Sequence, residues 1–317
     1  MALVLNGSGI TSANIADGTI TTDDILASDV KSLKSGRKNL IINGGMQVSQ
    51  RGDYTTATTL SNTYFLDRHS AEKDVVTATV QHTDVTINGV NKQAMRIAAT
   101  STATGYMGSY QALELANLRV GETYTVSCWV RSNNANTRFR HNYIGGVSAD
   151  SAAFTNDGNW EKVSWTLDST GTTANPIFYV LTYDSGNVSI TTGDYIEFTE
   201  LQLELGSVAT DFEHRSYGEE LALCQRYYFK TPPTDSINIK GYVSGDVAFF
   251  HYFQLPVTLR ATPTVTLGGN FTLTNITARN PFASTNFYGI TGQASVNGTY
   301  KMAADGSTDY FTCDAEL

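Results

Sequence analysis

Short apolar–polar alternations, each bounded by turn residues, run through most of this chain and set its fold class. The clearest is Tyr124-Thr125-Val126-Ser127-Cys128-Trp129-Val130-Arg131. Val126, Cys128 and Val130 point one way and Thr125, Ser127, Trp129 and Arg131 the other, which is the two-residue period of a strand. Further alternations lie at 75–82, 93–99, 138–144, 160–167, 177–183 and 195–204, punctuated by Gly89, Gly121, Asp157-Gly158, Gly171 and Gly193. Many short strands at regular spacing predict an antiparallel sandwich. No strand–helix–strand alternation is visible, which argues against the nucleotide-binding α/β folds. Composition agrees: 17 Tyr, 14 Phe and 41% hydrophobic residues suit a β-rich chain that buries a core.

One helix stands out at 216–229. Ser216 caps it and Glu219, three residues on, completes a capping box. Leu221, Cys224 and Tyr228 supply the apolar stripe, and Pro232-Pro233 stop it. Strands then resume at 237–243, 247–257, 263–267, 271–278, 285–290 and 308–313. The expected organisation is an extended arm and linker at 1–38, a β-sandwich at 39–215, a helical connector at 216–233 and a smaller β domain at 234–317.

The first 36 residues follow a different rule. Ile10, Ile15, Ile20, Ile25 and Val30 recur every five residues, a period that is neither helical nor that of a continuous strand. Asp-Gly and Asp-Asp pairs between them are placed to turn the chain once per period. One apolar residue per rung cannot form a core alone. The ladder therefore reads as an oligomeric stem or a docking arm, against the alternative of a disordered arm with accidental spacing.

Charge excludes several function classes. The chain carries a formal net charge of −9 and no long Lys/Arg run. That makes it a poor nucleic-acid binder, since phosphate contacts supply most of that affinity. No stretch of 18 apolar residues exists to span a membrane as a helix, and the first residues lack the basic and apolar regions of a secretory leader. Cys128, Cys224 and Cys313 are too far apart for a disulfide framework or a metal site and are expected as buried thiols. The five histidines have no metal-ligand spacing. No cofactor is expected, no loop is dense enough in ligands for calcium, and no catalytic motif appears. Arg51-Gly52-Asp53 is read as a polar turn rather than an integrin-type signal. Glu200, Gln202 and Glu204 alternate with Leu201, Leu203 and Leu205. Two carboxylates on one face would suit glycoside hydrolysis, but a solvated strand face is the commoner reading.

Sugar binding calls for aromatic faces with planar hydrogen-bonding groups beside them. Trp129 and Arg131 share one strand face, Arg140 and Tyr143 lie on a strand expected beside it, and Tyr179 and Tyr183 alternate along another. If they line one concave sheet face they form a glycan site. The alternative is ordinary sandwich core, where Trp and Tyr also belong.

Several segments resemble a known family. Asn39-Leu40-Ile41-Ile42-Asn43-Gly44-Gly45-Met46-Gln47-Val48-Ser49-Gln50-Arg51-Gly52 resembles the opening of a domain common in tail-fibre and other virion proteins of tailed bacteriophages. Tyr64-Phe65-Leu66-Asp67-Arg68 resembles its next marker, with His69 where the family usually has Trp. Ser127-Cys128-Trp129-Val130-Arg131 is similar to the central strand of jelly-roll carbohydrate-binding modules. The run from Leu201 to Arg215, continuing into Glu219–Tyr228, resembles the closing signature, and Leu255–Thr264 is similar to a segment of the domain that follows. The resemblance implies a jelly-roll virion protein on the particle surface, assembled in the bacterial cytoplasm. The expected role is structural and not enzymatic: a homotrimeric fibre that docks on another virion protein through residues 1–36 and binds host surface glycan. A capsid decoration or head fibre is the alternative, favoured by the short arm. A small tailspike depolymerase fits less well.

Overall fold

In a computed structural model, the residues described are 38–317 except 115–117, 145–146, 170–175, 232–237, 245–246, 270, 295 and 304–309. The ladder Ile10, Ile15, Ile20, Ile25 and Val30 therefore lies outside the described residues. Residues Asn39–Leu317 form one compact unit.

The strands begin with β1 (Thr58–Thr59), β2 (Thr63–Tyr64), β3 (Ser70–Asp74), β4 (Ala78–Ile87), β5 (Val90–Ala99), β6 (Ala103–Ala112) and β7 (Thr123–Ser132). They continue with β8 (Thr137–Ile144), β9 (Val147–Asp150), β10 (Glu161–Asp168), β11 (Ile177–Thr182), β12 (Val188–Ile190) and β13 (Tyr195–Leu205). One sheet has the order β1-β4-β5-β13-β7-β10, the other β2-β3-β6-β11-β8-β9 with β12 also on β6. All pairs are antiparallel, and the chain crosses repeatedly from one sheet to the other. This is a jelly-roll sandwich. Its core is the inward set of each alternation: Val126, Cys128, Val130, Ile196, Phe198 and Leu203 from the first sheet, Phe139, Phe178 and Val180 from the second. Burying each such side chain stabilises the fold by about 1.5–3 kcal/mol.

The two motif segments at the ends of the sandwich are zipped together. The Asn39 side chain donates to the Leu201 carbonyl at 3.0 Å and accepts from the backbone N–H of Ile41 and Leu203. Asn43 does the same work one turn later, donating to the carbonyls of Val48 and Asp67 and accepting from Val48 N–H. Asn43 is in the left-handed region at φ 60°, a conformation Asn tolerates better than most side chains. Gln202 and Glu204 correct the solvated-face reading. They are 0% and 2% exposed, because the segment after β13 folds back over them. Glu204 accepts from Thr210 N–H and hydroxyl, and Gln202 accepts from Glu213 N–H.

The helix α1 spans Tyr217–Gln225, with the expected capping box between Ser216 and Glu219. It stops before the expected 229. Arg226 ends it, and Tyr228–Lys230 is already strand β14, paired in a sheet rather than continuing the helix. Its buried Cys224, with Tyr227, packs on Ile42 and Val48. Beyond it lie β15 (Asn238–Val243), β16 (Val247–Gln254), β17 (Thr264–Gly268), β18 (Thr272–Thr274), β19 (Ala278–Ala283), β20 (Phe287–Ala294), β21 (Gly298–Ala303) and β22 (Tyr310–Asp314). With β14 they form three three-stranded sheets around a second core that includes Ile290, Met302, Phe311 and Cys313. The tail after β22 returns to the sandwich: Arg68, 1% exposed, pairs with Glu316 and lies over the Tyr227 ring at 3.6 Å.

Candidate functional site

The outward face of the second sheet carries tyrosines in register. Tyr110 on β6 stands opposite Tyr179 on β11, their ring centroids 5.4 Å apart. Tyr64 on β2 extends the row, 6.4 Å from Tyr110. Along the strands, Tyr106 meets Tyr183, just past β11, at 6.5 Å edge to face. Between the two pairs lie Gly108 and Leu181, also opposite one another. The face is thus a groove with tyrosine walls and a floor of a glycine and a leucine. Period-two alternation sends these residues outward while Met107, Phe178 and Val180 go into the core.

Polar groups converge on this groove. The Arg140 guanidinium lies 4.5 Å from the Tyr183 ring centroid and is paired with Asp150 at 2.6 Å. Asn142 donates to the Tyr179 hydroxyl at 3.1 Å, and its side-chain oxygen is buried without a hydrogen-bond partner. Glu72, Tyr106, Arg140, Asn142, Tyr179, Leu181 and Tyr183 enclose a cavity of about 170 Å³. Drug-sized pockets start near 300 Å³, so this one has room for a single small ring. Burial raises the Tyr179 phenol well above its ordinary range, so it stays protonated and can donate. Burial also raises the Glu72 carboxyl. Aromatic faces, one half-neutralised guanidinium, an amide and a carboxyl form a surface that stacks on an apolar ring face and hydrogen-bonds its edge.

The structure brings Arg140, Tyr179 and Tyr183 together. The side chain of Tyr143 lies outside those described. Trp129 and Arg131 do not belong to this groove, which corrects the expectation of one shared face: β7 is in the first sheet. There Trp129 packs with Trp160 on Val85, Ile87 and Ala94. Arg131 pairs with the buried Glu197 at 2.6 Å and lies 4.9 Å from the Trp160 ring centroid. Arg96 shares Glu197 at 3.2 Å. These residues cover the outside of their sheet. Arg51 of the Arg-Gly-Asp run is likewise structural, paired with Asp314 and Glu316 and stacked on Tyr228 at 3.8 Å.

Sequence reasoning missed Tyr106 and Tyr110 because it missed β6 altogether. A usable signal was present: Gly105-Tyr106-Met107-Gly108-Ser109-Tyr110 alternates aromatic with glycine on one parity. Among the described residues, no cluster of three or more His, Cys, Asp or Glu is placed to hold a metal ion, and no helix is long and apolar enough to cross a membrane. The three cysteines are buried and unpaired.

No family model and no curated protein matches the chain. Among solved structures it is similar to the module TmCBM61 in complex with β-1,4-galactotriose, at 13% identity, TM-score 0.30, over 54% of this chain and 100% of that one. It is also similar to the CBM22-1 xylan-binding domain of Paenibacillus barcinonensis Xyn10C, at 15% identity, TM-score 0.32, over 50% and 99%. A third is the enzymatically active domain of bacteriophage CBA120 tailspike protein 4, at 13% identity and TM-score 0.35, over 53% of this chain and 21% of that one.

Proposed function

We propose that this chain is a structural fibre protein of a tailed-phage virion that holds host surface glycan in the tyrosine groove of its second sheet. The observation that carries the binding reading is the register of Tyr110 with Tyr179 and of Tyr106 with Tyr183 about the Gly108–Leu181 floor. The ordered motifs from Asn39 to Thr264 support the virion role. Residues 1–36 dock on another virion protein, and the chain works as a homotrimer displayed on the particle surface. Weak single sites then act together, because linkage raises the effective concentration of the second and third binding events. The chain binds rather than cuts. Glu204 is occupied by Thr210, and Glu200 is paired with Lys92, so the two acids of β13 do not converge on a shared substrate position.

The test is retention of the full chain on polysaccharide purified from the host surface. Tyr179→Ala and Tyr183→Ala are expected to weaken retention about tenfold or more, the scale of one lost stacking contact. Trp129→Ala, on the other sheet, is expected to leave it unchanged. Equal loss in all three, or shortening of the polysaccharide, would overturn the reading. Particles assembled with residues 1–30 deleted test docking: incorporation at the normal level would remove that part. Location of the protein on the particle by cryo-EM separates a tail fibre from a capsid decoration.

A further inference from the structure

A second and larger cavity, about 640 Å³, shares no residue with the tyrosine groove. Three stretches build it: Gly45 and Gln47 of the opening motif, the β4–β5 hairpin, and the middle of β13 with Phe212 and His214 of the segment after that strand. At its wall the β13–β7 register shifts between Thr199 and Gln202. Within this bulge Glu200 takes a left-handed backbone conformation, φ 53°. Such conformations cost about 1–3 kcal/mol and gather at functional sites, and bulges re-aim side chains. Here the bulge turns Glu200 into the cleft, where Lys92 donates to it and His214 stands 3.8 Å away.

An independent observation points to a ligand. Thr199 also lines this cleft, is 0% exposed, and its hydroxyl has no hydrogen-bond partner. Buried hydroxyls are nearly always satisfied, so an unpartnered one on a cavity wall marks a place for an incoming polar group. Phe212 supplies a flat face. Its ring lies edge to face with His214 at 5.1 Å.

We propose that this cleft is a second carbohydrate site, taking one neutral hexosyl unit. Lys92 and Glu200 present an adjacent donor and acceptor, which matches two vicinal hydroxyls, and charge-assisted hydrogen bonds of this kind are about twice as strong as neutral ones. Their charges cancel, so they do not call for a charged ligand, and exposed Asp84 on the rim disfavours an acidic sugar. Gln47, Asn91 and Gln93 add amides that donate and accept, while Phe212 stacks on the ring face. The volume falls within the usual range for small-molecule sites. The proposal stands apart from the tyrosine groove and survives if that groove binds nothing.

Saturation-transfer difference NMR on the full chain carrying Tyr179→Ala and Tyr183→Ala tests it with the groove disabled. The probes are methyl α-D-glucopyranoside, methyl β-D-galactopyranoside, methyl α-D-mannopyranoside and N-acetylglucosamine, each at about 10 mM, well above a millimolar Kd. At least one is expected to receive saturation. Adding Phe212→Ala or Lys92→Met is expected to weaken its binding about tenfold. Asn91→Ala, at an exposed hairpin position where folding is not at stake, is expected to weaken it to a smaller degree. No transfer to any of the four sugars, or transfer that all three added variants leave unchanged, would overturn the proposal.

Discussion

Gly108 and Leu181 face each other across β6 and β11, and a Cβ on Gly108 would stand 2.4 Å from that of Leu181. The floor of the tyrosine groove therefore has no spare volume. Gly108→Val is expected to destabilise the protein by about 1–3 kcal/mol, the usual cost of overpacking, and to lower its melting temperature. It should also abolish retention on host polysaccharide, because the added group would meet the Val180 carbonyl and Leu181 Cα as well, so β11, which carries Tyr179, must shift. A variant that melts and binds as the parent does would show that the floor is not filled as described.

The buried pair of Arg68 and Glu316 is expected to be costly to break from one side. Removing the Glu316 carboxylate leaves the Arg68 charge in a site almost closed to water, whereas removing Arg68 leaves Glu316 with Arg51 as its partner. Glu316→Gln should cost about 3–5 kcal/mol, Arg68→Met less, and the double variant less than their sum. Urea denaturation measures all three. Strict additivity would mean that the two side chains do not depend on each other.

Acid should weaken the fold through buried histidines. Burial lowers the pKa of His69 and of His141 from 6.5 to about 4. As pH falls below 6.5 the unfolded chain takes up protons that the folded rings refuse, so stability present above 6.5 is lost on the way down to 4. For His69, which donates to the Asn43 carbonyl at 3.1 Å, the shift corresponds to about 3 kcal/mol. Asp67 acts in the opposite sense. Burial raises it from 3.8 to about 6, so its contribution grows as pH falls through 6. Two histidines against one aspartate leave a net loss. Melting temperature measured from pH 7 to pH 4 should fall, and His141→Phe should flatten the slope. An unchanged slope in that variant would remove His141 from the account.

The Ile ladder predicts association. Under the proposed homotrimer, Ile15→Asp or Ile20→Asp is expected to reduce the mass seen by light scattering from trimer to monomer. An unchanged mass would count against a shared ladder.

What could be read from the sequence followed local physics. The edges of β7, β8, β10, β11 and β13 were legible within a residue or two because branched and aromatic residues alternate between turn signals. Ser216 and Glu219 announced the helix start. β6 was hidden because Gly105 and Gly108 look like breakers when read locally. Their reason is non-local: a Cβ on Gly105 would stand 2.3 Å from the Asp74 carbonyl oxygen, as one on Gly108 would crowd Leu181. Sheet membership was hidden for the same kind of reason. Alternation shows that Trp129 and Arg131 share a face. Only pairing with Glu197 on β13, 66 residues later, shows which face it is. Of the residues expected at the site, Arg140, Tyr179 and Tyr183 thus share one groove, while Trp129 and Arg131 lie on the other sheet.

The Arg68 guanidinium also imposes an order of events. Its partner carboxylate is made 248 positions later. During synthesis the sandwich can collapse well before Glu316 leaves the ribosome, yet until then it must hold an uncompensated cation at its base. The segment that carries Glu316 therefore acts as a latch, neutralising Arg68 only after the strands of the sandwich have been made.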